Sequence, residues 1–294
     1  MSLMKILAVA VSLSLVGCAT DDEPEVTAES QGLTQVGLAF SWTVAGGAVD
    51  PDDPPNDPPP GVLGSSDDRN CFLTSVTGNI QGQLHGQNYR EAGGEVFIDK
   101  PSRTWQVRVA RGYASSVSIT GICIPGTTHR LPIGGEGGTT PGGFDPNTTA
   151  NTHCFLDEML GYGFGFWGTD DSIAVRPNLA PPNSNGVKNI EFFPWSELTS
   201  DGHWQVEGDA MCFDFTSSAT TLKGSLSSPL GGPVAEKTIT TQPGYQCGLT
   251  GIGGIFQAFN ASVKLVPSST STPSPTSWKA IATPGTSLSW ECIK

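Results

Sequence analysis

Apolar positions recur in the same order in three segments of the chain, each beginning and ending on a cysteine. In every segment a leucine lies two positions after the opening cysteine, an aliphatic residue or methionine five positions after it, and a glycine seven. A short apolar alternation follows, then a tryptophan and a closing cysteine. The opening cysteines are Cys71, Cys154 and Cys247, the tryptophans Trp105, Trp204 and Trp278, and the closing cysteines Cys123, Cys212 and Cys292. Such a repeat sets the architecture of a chain before any local motif does.

The alternation within each segment has the period of β-strands. Residues 105–109 and 117–123 are rich in β-branched side chains and alternate apolar with polar positions, and glycines and prolines separate such runs. The chain has 37 glycines and 23 prolines among 294 residues, which is too many for long helices. We predict an all-β fold with four or five short strands per unit, and expect the three tryptophans to occupy equivalent core positions.

The three units can pack either as separate beads or as one pseudo-threefold body with a shared core. A unit of about 50 residues buries only a thin core alone, which favours the shared body. The predicted units are residues 65–126, 151–215 and 244–294. Residues 127–150 and 216–243 are rich in Gly, Ser and Thr and are predicted to be linkers that run over the surface.

Residues 18–64 have the composition of a disordered tether. The acidic proline tract at residues 50–60 predicts an extended, semi-rigid spacer. Residues 36–44 have a strand-like composition instead. They can either pair with the folded body or pack on a partner, and the sequence does not distinguish the two.

The N-terminus has the pattern of a secretory signal. Lys5 precedes an apolar run over residues 6–16, shorter than the roughly 20 residues that span a bilayer. The sequence Leu15-Val16-Gly17-Cys18 resembles the lipobox of bacterial lipoproteins. That resemblance implies that residues 1–17 are a signal peptide, that Cys18 is lipidated, and that acyl chains anchor the protein in a membrane. Ala19 is compatible with the outer membrane, on its periplasmic or its surface-exposed side.

The remaining six cysteines predict three disulfides. An even number of cysteines in an exported protein is typical of a disulfide framework, and six cysteines allow 15 pairings. The repeat selects one bridge per unit, which joins the opening to the closing cysteine. A metal site is the alternative, but no two cysteines have the short spacing of zinc ligands. The predicted bridges are Cys71 with Cys123, Cys154 with Cys212, and Cys247 with Cys292.

The opening of the first unit adds a further resemblance. Cys71-Phe-Leu-Thr, with the later Trp105 and the closing Cys123, resembles repeats of uncharacterised secreted and surface proteins of bacteria, including adhesin-like proteins. The resemblance covers the first unit best and the third least. It implies an extracellular β module.

Charge and motifs exclude several classes of function. A net charge of −13 argues against nucleic acid as a partner, because phosphates require a basic surface. The four histidines are isolated in the sequence and are expected in surface loops. Adjacent acids such as Asp170 and Asp171 do not fit a twelve-residue calcium loop. We therefore predict no catalytic residues, no metal and no cofactor.

Aromatic residues concentrate in the second unit and form the candidate ligand site. Tyr162, Phe166, Trp167 and Trp195 lie in two aromatic segments that the other units lack. Aromatic rings with small neighbours can stack on sugars or anchor a protein partner, although a larger core in this unit is the alternative. The sequence predicts a surface-anchored, non-enzymatic lipoprotein that binds or adheres to a glycan or protein. The alternatives are a structural envelope lipoprotein and, third, a hydrolase.

Overall fold

The computed structural model describes residues 38–44 and 59–294, with gaps at 81–82, 86–87, 112–115, 127–132, 137–142, 146–147, 163–165, 167, 178, 185, 197–205, 216–220, 259 and 269–274. Over these residues the chain forms β-strands and no helix, which confirms the all-β prediction. The strands, numbered in chain order, are β1 (Leu38–Val44), β2 (Gly61–Ser65), β3 (Arg69–Gly78), β4 (Gln83–His85), β5 (Asn88–Asp99), β6 (Thr104–Arg111), β7 (Val117–Pro125), β8 (Ile133–Glu136), β9 (Phe144–Asp145), β10 (Thr152–Leu156), β11 (Glu158–Tyr162), β12 (Ser172–Pro177), β13 (Ile190–Trp195), β14 (Val206–Asp214), β15 (Thr221–Ser227), β16 (Ala235–Thr240), β17 (Gln246–Gly254), β18 (Ser262–Pro267), β19 (Ser277–Ala282) and β20 (Thr286–Ile293).

The strands form three sheets that share one strand pattern. Sheet I has the order β1-β7-β3-β18-β19-β16, and sheet III the order β15-β20-β17-β12-β13-β9. Sheet II has the order β10-β14-β11-β5-β6-β2, with β8 also paired to β14 and β4 to β5. In each sheet the opening and closing strands of one unit pair with the two middle strands of the preceding unit, in cyclic order. The middle strands of a unit therefore lie in a different sheet from the opening and closing strands of the same unit. This exchange excludes an arrangement of the units as separate beads.

The segments predicted as linkers and tether supply the outer strands of the sheets. Residues 127–150 contain β8 and β9, residues 216–243 contain β15 and β16, and residues 18–64 contain β1 and most of β2. Their prediction as linkers or tether was wrong over β2, β8, β9, β15 and β16. β1 lies in the segment 36–44 that was predicted as strand-like, and it pairs with β7 of the folded body. The reason is visible in β15 and β16, whose residues are mostly exposed or half-buried at a sheet edge. Such strands have no need of the apolar alternation that marks a buried strand.

The three units meet in one hydrophobic core. The residue directly after the opening cysteine is Phe72 in the first unit, Phe155 in the second and Gly248 in the third. The two rings stack with centroids 4.4 Å apart. A Cβ atom on Gly248 would lie 2.5 Å from atoms of both rings, so only glycine leaves room for them. Equivalent residues of all three units thus contact one another, and the buried cluster around them draws on every unit.

Each disulfide joins directly opposed residues of an opening and a closing strand. The bridges are Cys71–Cys123, Cys154–Cys212 and Cys247–Cys292, which confirms the predicted pairing. They close loops with sequence separations of 45 to 58 residues. A loop of that length corresponds to about 4 kcal/mol of unfolded-state entropy in the chain-entropy model.

The repeated tryptophan ties neighbouring sheets together. Trp105 and Trp278 are buried, and each indole N–H donates to the carbonyl oxygen of the residue two positions before the opening cysteine of its own unit. The indole lies in one sheet, and the carbonyl lies in the opening strand of the next sheet (Arg69) or directly before it (Tyr245), so the bond links two sheets. By strand pairing, Ile190 takes this place in the second unit. Trp204, predicted as the third equivalent, precedes β14 and lies outside the described residues.

Candidate functional site

The outer face of sheet III carries two rows of small residues that run across four strands. Directly opposed residues give the rows, since each strand pairs with its neighbour in register. One row is Ser225, Ser289, Gly251, Ala174 and then Phe193. The second row is Ser227, Ser287, Gly253, Ser172 and then Trp195. Both rows end in an aromatic residue of β13, so the sheet offers a small-residue floor with an aromatic wall at one side.

The two rows form the floor of a groove with a volume of about 490 Å³. Its lining residues carry no formal charge: Ser172, Ile173, Ala174, Ser225, Leu226, Ser227, Gly251, Ile252, Ser287, Leu288 and Ser289. Among these, Ile173, Ile252 and Leu288 alternate with the floor residues and are buried on the inner face of the sheet. The apolar inner face fixes the register of the strands, because a shift of one residue would expose it. The hydroxyl groups of the floor are held in place by the core beneath them.

The aromatic wall is braced from one side by an ion pair. The rings of Phe193 and Trp195 are half-buried and stacked, with centroids 6.1 Å apart and planes inclined by 14°. The guanidinium carbon of Arg176 lies 3.3 Å from the centroid of Phe193. Its Nε donates to Oε1 of the buried Glu191 at 2.7 Å. The guanidinium is held by the carboxylate and in turn holds the ring, so the wall is pre-organised.

The same position differs sharply between the three sheets. The strand pairings and the distances from the cysteines identify equivalent positions in the three sheets. By both criteria, Ala174 of sheet III corresponds to Lys264 of sheet I and Glu95 of sheet II. Gly251 corresponds to Ser75 and Glu158 in the same way. Sheet I therefore has one long charged side chain, Lys264, at the centre of its outer face, and sheet II has two, Glu95 and Glu158. Sheet III leaves its centre empty, and this difference creates the groove.

The aromatic residues predicted as a ligand site do not lie together. Trp195 stands at the groove, directly opposite the lining residue Ser172. Tyr162 ends β11, which belongs to sheet II and not to sheet III, and it pairs there with Glu91. Phe166 is fully buried and packs edge-on against Phe256, so it is a core residue and not a ligand contact. Trp167 lies outside the described residues.

The sequence interpretation missed the remaining groove residues for two reasons. The segment Glu191-Phe-Phe-Pro-Trp195 alternates faces as a strand, and this alternation places Phe193 beside Trp195 while Phe192 enters the core. This alternation is visible in the sequence, but the predicted ligand site did not include Phe193. The serines of the floor carry no such signal, because serine is common in this chain and their positions become adjacent only through pairing between units.

A second cluster, of acidic residues, replaces a hydroxyl pair of the repeat. The third residue after the opening cysteine interrupts the opening strand in every unit: Thr74 and Thr250 at register shifts, and Asp157 between β10 and β11. Thr74 hydrogen-bonds the Thr120 hydroxyl at 3.0 Å, and Thr250 donates to Ser289 at 3.2 Å. In the second unit the corresponding pair is Asp157 with Asp209. The repeat thus exchanges two hydroxyls for two carboxyls at this point.

Burial and mutual repulsion raise the pKa values of the carboxyls at this point. Burial, and next the charge of Asp209, raises the pKa of Asp157 well above its ordinary value, and Oδ1 of Asp157 has no hydrogen-bond partner. Burial, followed by Asp209 and Glu95, raises the pKa of Glu158 to about 10. Burial also raises the pKa of Asp209, although a hydrogen bond with Glu158 opposes that change. Protonated Glu158 therefore donates to Asp209 at neutral pH.

Replacing Asp157 with threonine, the residue of the other two units, should stabilise the protein. A carboxyl whose pKa is raised on folding favours the folded state at low pH, and that contribution is lost as pH rises above its unfolded value of 3.8. We expect Asp157→Thr to add about 1–3 kcal/mol at neutral pH, the usual cost of a buried unsatisfied group. Melting curves at pH 5, 7 and 9 should show a gain that grows with pH. Asp170→Asn, at an exposed acid in a turn, is the control, and an equal or smaller gain at pH 9 than at pH 5 would contradict the assignment.

A buried contact between a histidine and a glutamate links sheets II and III. Nδ1 of His153 lies 2.6 Å from Oε1 of Glu291, and Nζ of Lys223 lies 3.0 Å from the other carboxylate oxygen. His153 is buried against the edge of the Phe215 ring, so its prediction as a surface loop residue was wrong. His153 precedes the opening cysteine of the second unit and Glu291 the closing cysteine of the third. The pair therefore belongs to the contact between units.

Within the described ranges, no group of three or more His, Cys, Asp or Glu side chains is arranged to hold a metal ion. Nor does the described part of the chain include a helix long and apolar enough to cross a membrane. Comparison with family models, with curated proteins and with solved structures gives no match.

Proposed function

We propose that the protein is a surface-anchored, non-enzymatic lipoprotein of the bacterial outer membrane that binds a glycan or protein ligand. The single observation that carries the binding role is the groove of sheet III with its aromatic wall. Packing of the repeat does not require such a groove, because the equivalent positions of sheets I and II are filled. Half-buried aromatic rings beside an uncharged groove are the usual composition of a recognition site.

Removal of the aromatic wall should abolish ligand binding without unfolding the protein. The exported chain is screened on glycan and protein arrays, and the hits are measured again with Trp195→Ala and Phe193→Ala. We expect each variant to lose at least tenfold in affinity, because one exposed aromatic contributes about 1–3 kcal/mol of burial. The melting temperature should change little, since both rings lie on the outer face. Unaltered hits in both variants would contradict the site, and so would loss of folding.

Membrane attachment rests on Cys18, which lies outside the described residues. If the lipobox is processed, two or three acyl chains supply stable anchoring at about 0.8 kcal/mol per buried methylene. We expect Cys18→Ala to appear in the soluble fraction or as the unprocessed precursor, as followed by fractionation and labelling with a fatty-acid analogue. Membrane association that is unchanged in this variant would refute the lipid anchor.

Two other functions each have one supporting observation. A structural envelope lipoprotein is favoured by the burial of Phe166, which removes one aromatic from the predicted ligand site. A hydrolase is favoured by the proton-sharing pair of Glu158 and Asp209, since paired carboxyls of unequal pKa can act as acid and base. The described groove lies on sheet III and that pair on sheet II, so the two do not form one site. The binding role therefore remains the proposal.

A further inference from the structure

We propose that the groove of sheet III takes an uncharged, linear oligosaccharide, laid across the strands with one sugar ring against Trp195 and Phe193. This inference rests on the proposed function and specifies the chemistry of its ligand. It follows from the floor, from the wall and from the kinds of ligand that the sheet excludes.

The floor offers hydroxyl groups and no charge. Ser172, Ser225, Ser227, Ser287 and Ser289 line the groove, and each hydroxyl can both donate and accept a hydrogen bond. Ser289 accepts a bond from Thr250, which leaves its own O–H to donate. Sugar hydroxyls have the same dual character, so they match such a floor in either orientation. Glycine and alanine between the serines allow a ring to lie close to the sheet.

The wall offers the face that a sugar ring needs. A pyranose has one face of C–H groups, which packs on aromatic rings. Phe193 and Trp195 stack with nearly parallel planes, so they form one stacked aromatic surface at the end of the floor. The ion pair of Arg176 and Glu191 fixes that surface before the ligand arrives, which lowers the entropy cost of binding.

Anionic ligands do not fit this groove. The nearest cations are already neutralised: Arg176 by Glu191, and Lys223 by Glu291. The chain has a net charge of −13, which repels polyanions at long range. Phosphorylated, sulfated and carboxylated ligands are therefore disfavoured relative to neutral ones.

Peptides also lack the contacts they require. Peptides that join a sheet use an open edge, but three of the four strands of the floor, β20, β17 and β12, are paired on both sides, and β15 alone lies at the edge. Peptides that bind through side chains need a deep apolar pocket for an anchor residue, and the floor consists of serine, glycine and alanine. The groove therefore favours a ligand that binds through hydroxyl groups and through the faces of its rings.

The dimensions favour an oligomer over a single sugar. Neighbouring strands are about 4.8 Å apart, so the floor from β15 to β12 extends about 14 Å before the wall begins. The volume of about 490 Å³ lies within the range of sites for drug-sized ligands. A chain of several sugar rings fills this length, whereas a monosaccharide would leave most of the floor unused.

The test compares classes of ligand and uses substitutions that fill the groove. The exported chain is titrated by calorimetry with neutral hexasaccharides of glucose, mannose, galactose and N-acetylglucosamine, and with hexagalacturonate. Peptide binding is measured separately, on an array that carries an unbiased peptide library. Ala174→Leu fills the floor, and Lys264→Leu, at the equivalent position of sheet I, is the matched control. Ser227→Leu blocks the exposed end of the floor as a second variant. Melting temperatures establish that each variant is folded.

We expect at least one neutral hexasaccharide to bind, with its monosaccharide at least tenfold weaker. Ala174→Leu and Ser227→Leu should each reduce affinity at least tenfold, and Lys264→Leu should leave it unchanged. Binding of hexagalacturonate or peptides alone, with the same sensitivity to Ala174→Leu, would overturn the neutral sugar and retain the binding function. Ligands insensitive to both groove variants, or no ligand in any class, would overturn the proposed binding site as well.

Discussion

Residues 65–126, produced alone, should remain unfolded under conditions in which the whole body folds. This segment holds all the strands between the first opening and closing cysteines, yet β3 and β7 pair in sheet I whereas β5 and β6 pair in sheet II. Without the other units, it has the pair of β3 with β7 and, separately, the pair of β5 with β6 extended by the short β4. Isolated hairpins of this kind are marginally stable at best. Circular dichroism and proton chemical-shift dispersion measure the expected loss.

The matched control for this truncation is a chain that starts at residue 38 and includes all three units. A second truncation that ends at residue 215 should also fail, since it removes β18, one of the two partners of β3, and β17, one of the two partners of β12. Cooperative thermal unfolding of residues 65–126 would show that a unit is an independent domain. The exchanged pairing between units would then be refuted.

Alanine at Trp105 should lower the free energy of unfolding by about 3–5 kcal/mol, the typical cost of truncating a large buried aromatic. Trp105 is fully buried, and its indole N–H donates to the carbonyl oxygen of Arg69 at 2.7 Å. The variant loses both the packing and the link between sheets I and II, and the carbonyl is left without this donor. Denaturant titration with the disulfides intact measures the change.

Trp195→Ala is the matched control for this substitution, because Trp195 lies half-buried on an outer face. Trp195→Ala should lower the free energy of unfolding by only a fraction of the loss expected for Trp105→Ala. Equal losses for the two tryptophans would contradict the assignment of Trp105 to the core and of Trp195 to the ligand surface.

The repeat predicted the disulfides and the strand class because both are local consequences of the pattern. Each opening cysteine has one closing partner, and period-two alternation marks strands such as β6 and β7 without knowledge of their neighbours. Pairing is different, since a sequence pattern says which face of a strand is buried and not which strand lies beside it. The exchange of middle strands between units was therefore invisible.

The candidate site shows the same limit. Trp195 was predicted from its composition, and it lies at the groove. Its neighbours Ser287 and Ser289 come from another unit, more than 90 positions away in the sequence, and only the pairing of β12 with β17 and of β17 with β20 brings them close. Asp157 was missed for a related reason, because its burial depends on the register shift that the repeat places there.

The contact between β3 and β18 has a consequence for the speed of folding. Thr77 pairs with Ser262, so sheet I can be completed only after nearly the whole chain is present. Contacts between such distant residues are slow to form, because a long loop must close before they add stability. Until then one edge of β3 is open to other chains, which is a risk of aggregation. We expect refolding of the reduced, denatured chain to be slow and to lose yield as protein concentration rises.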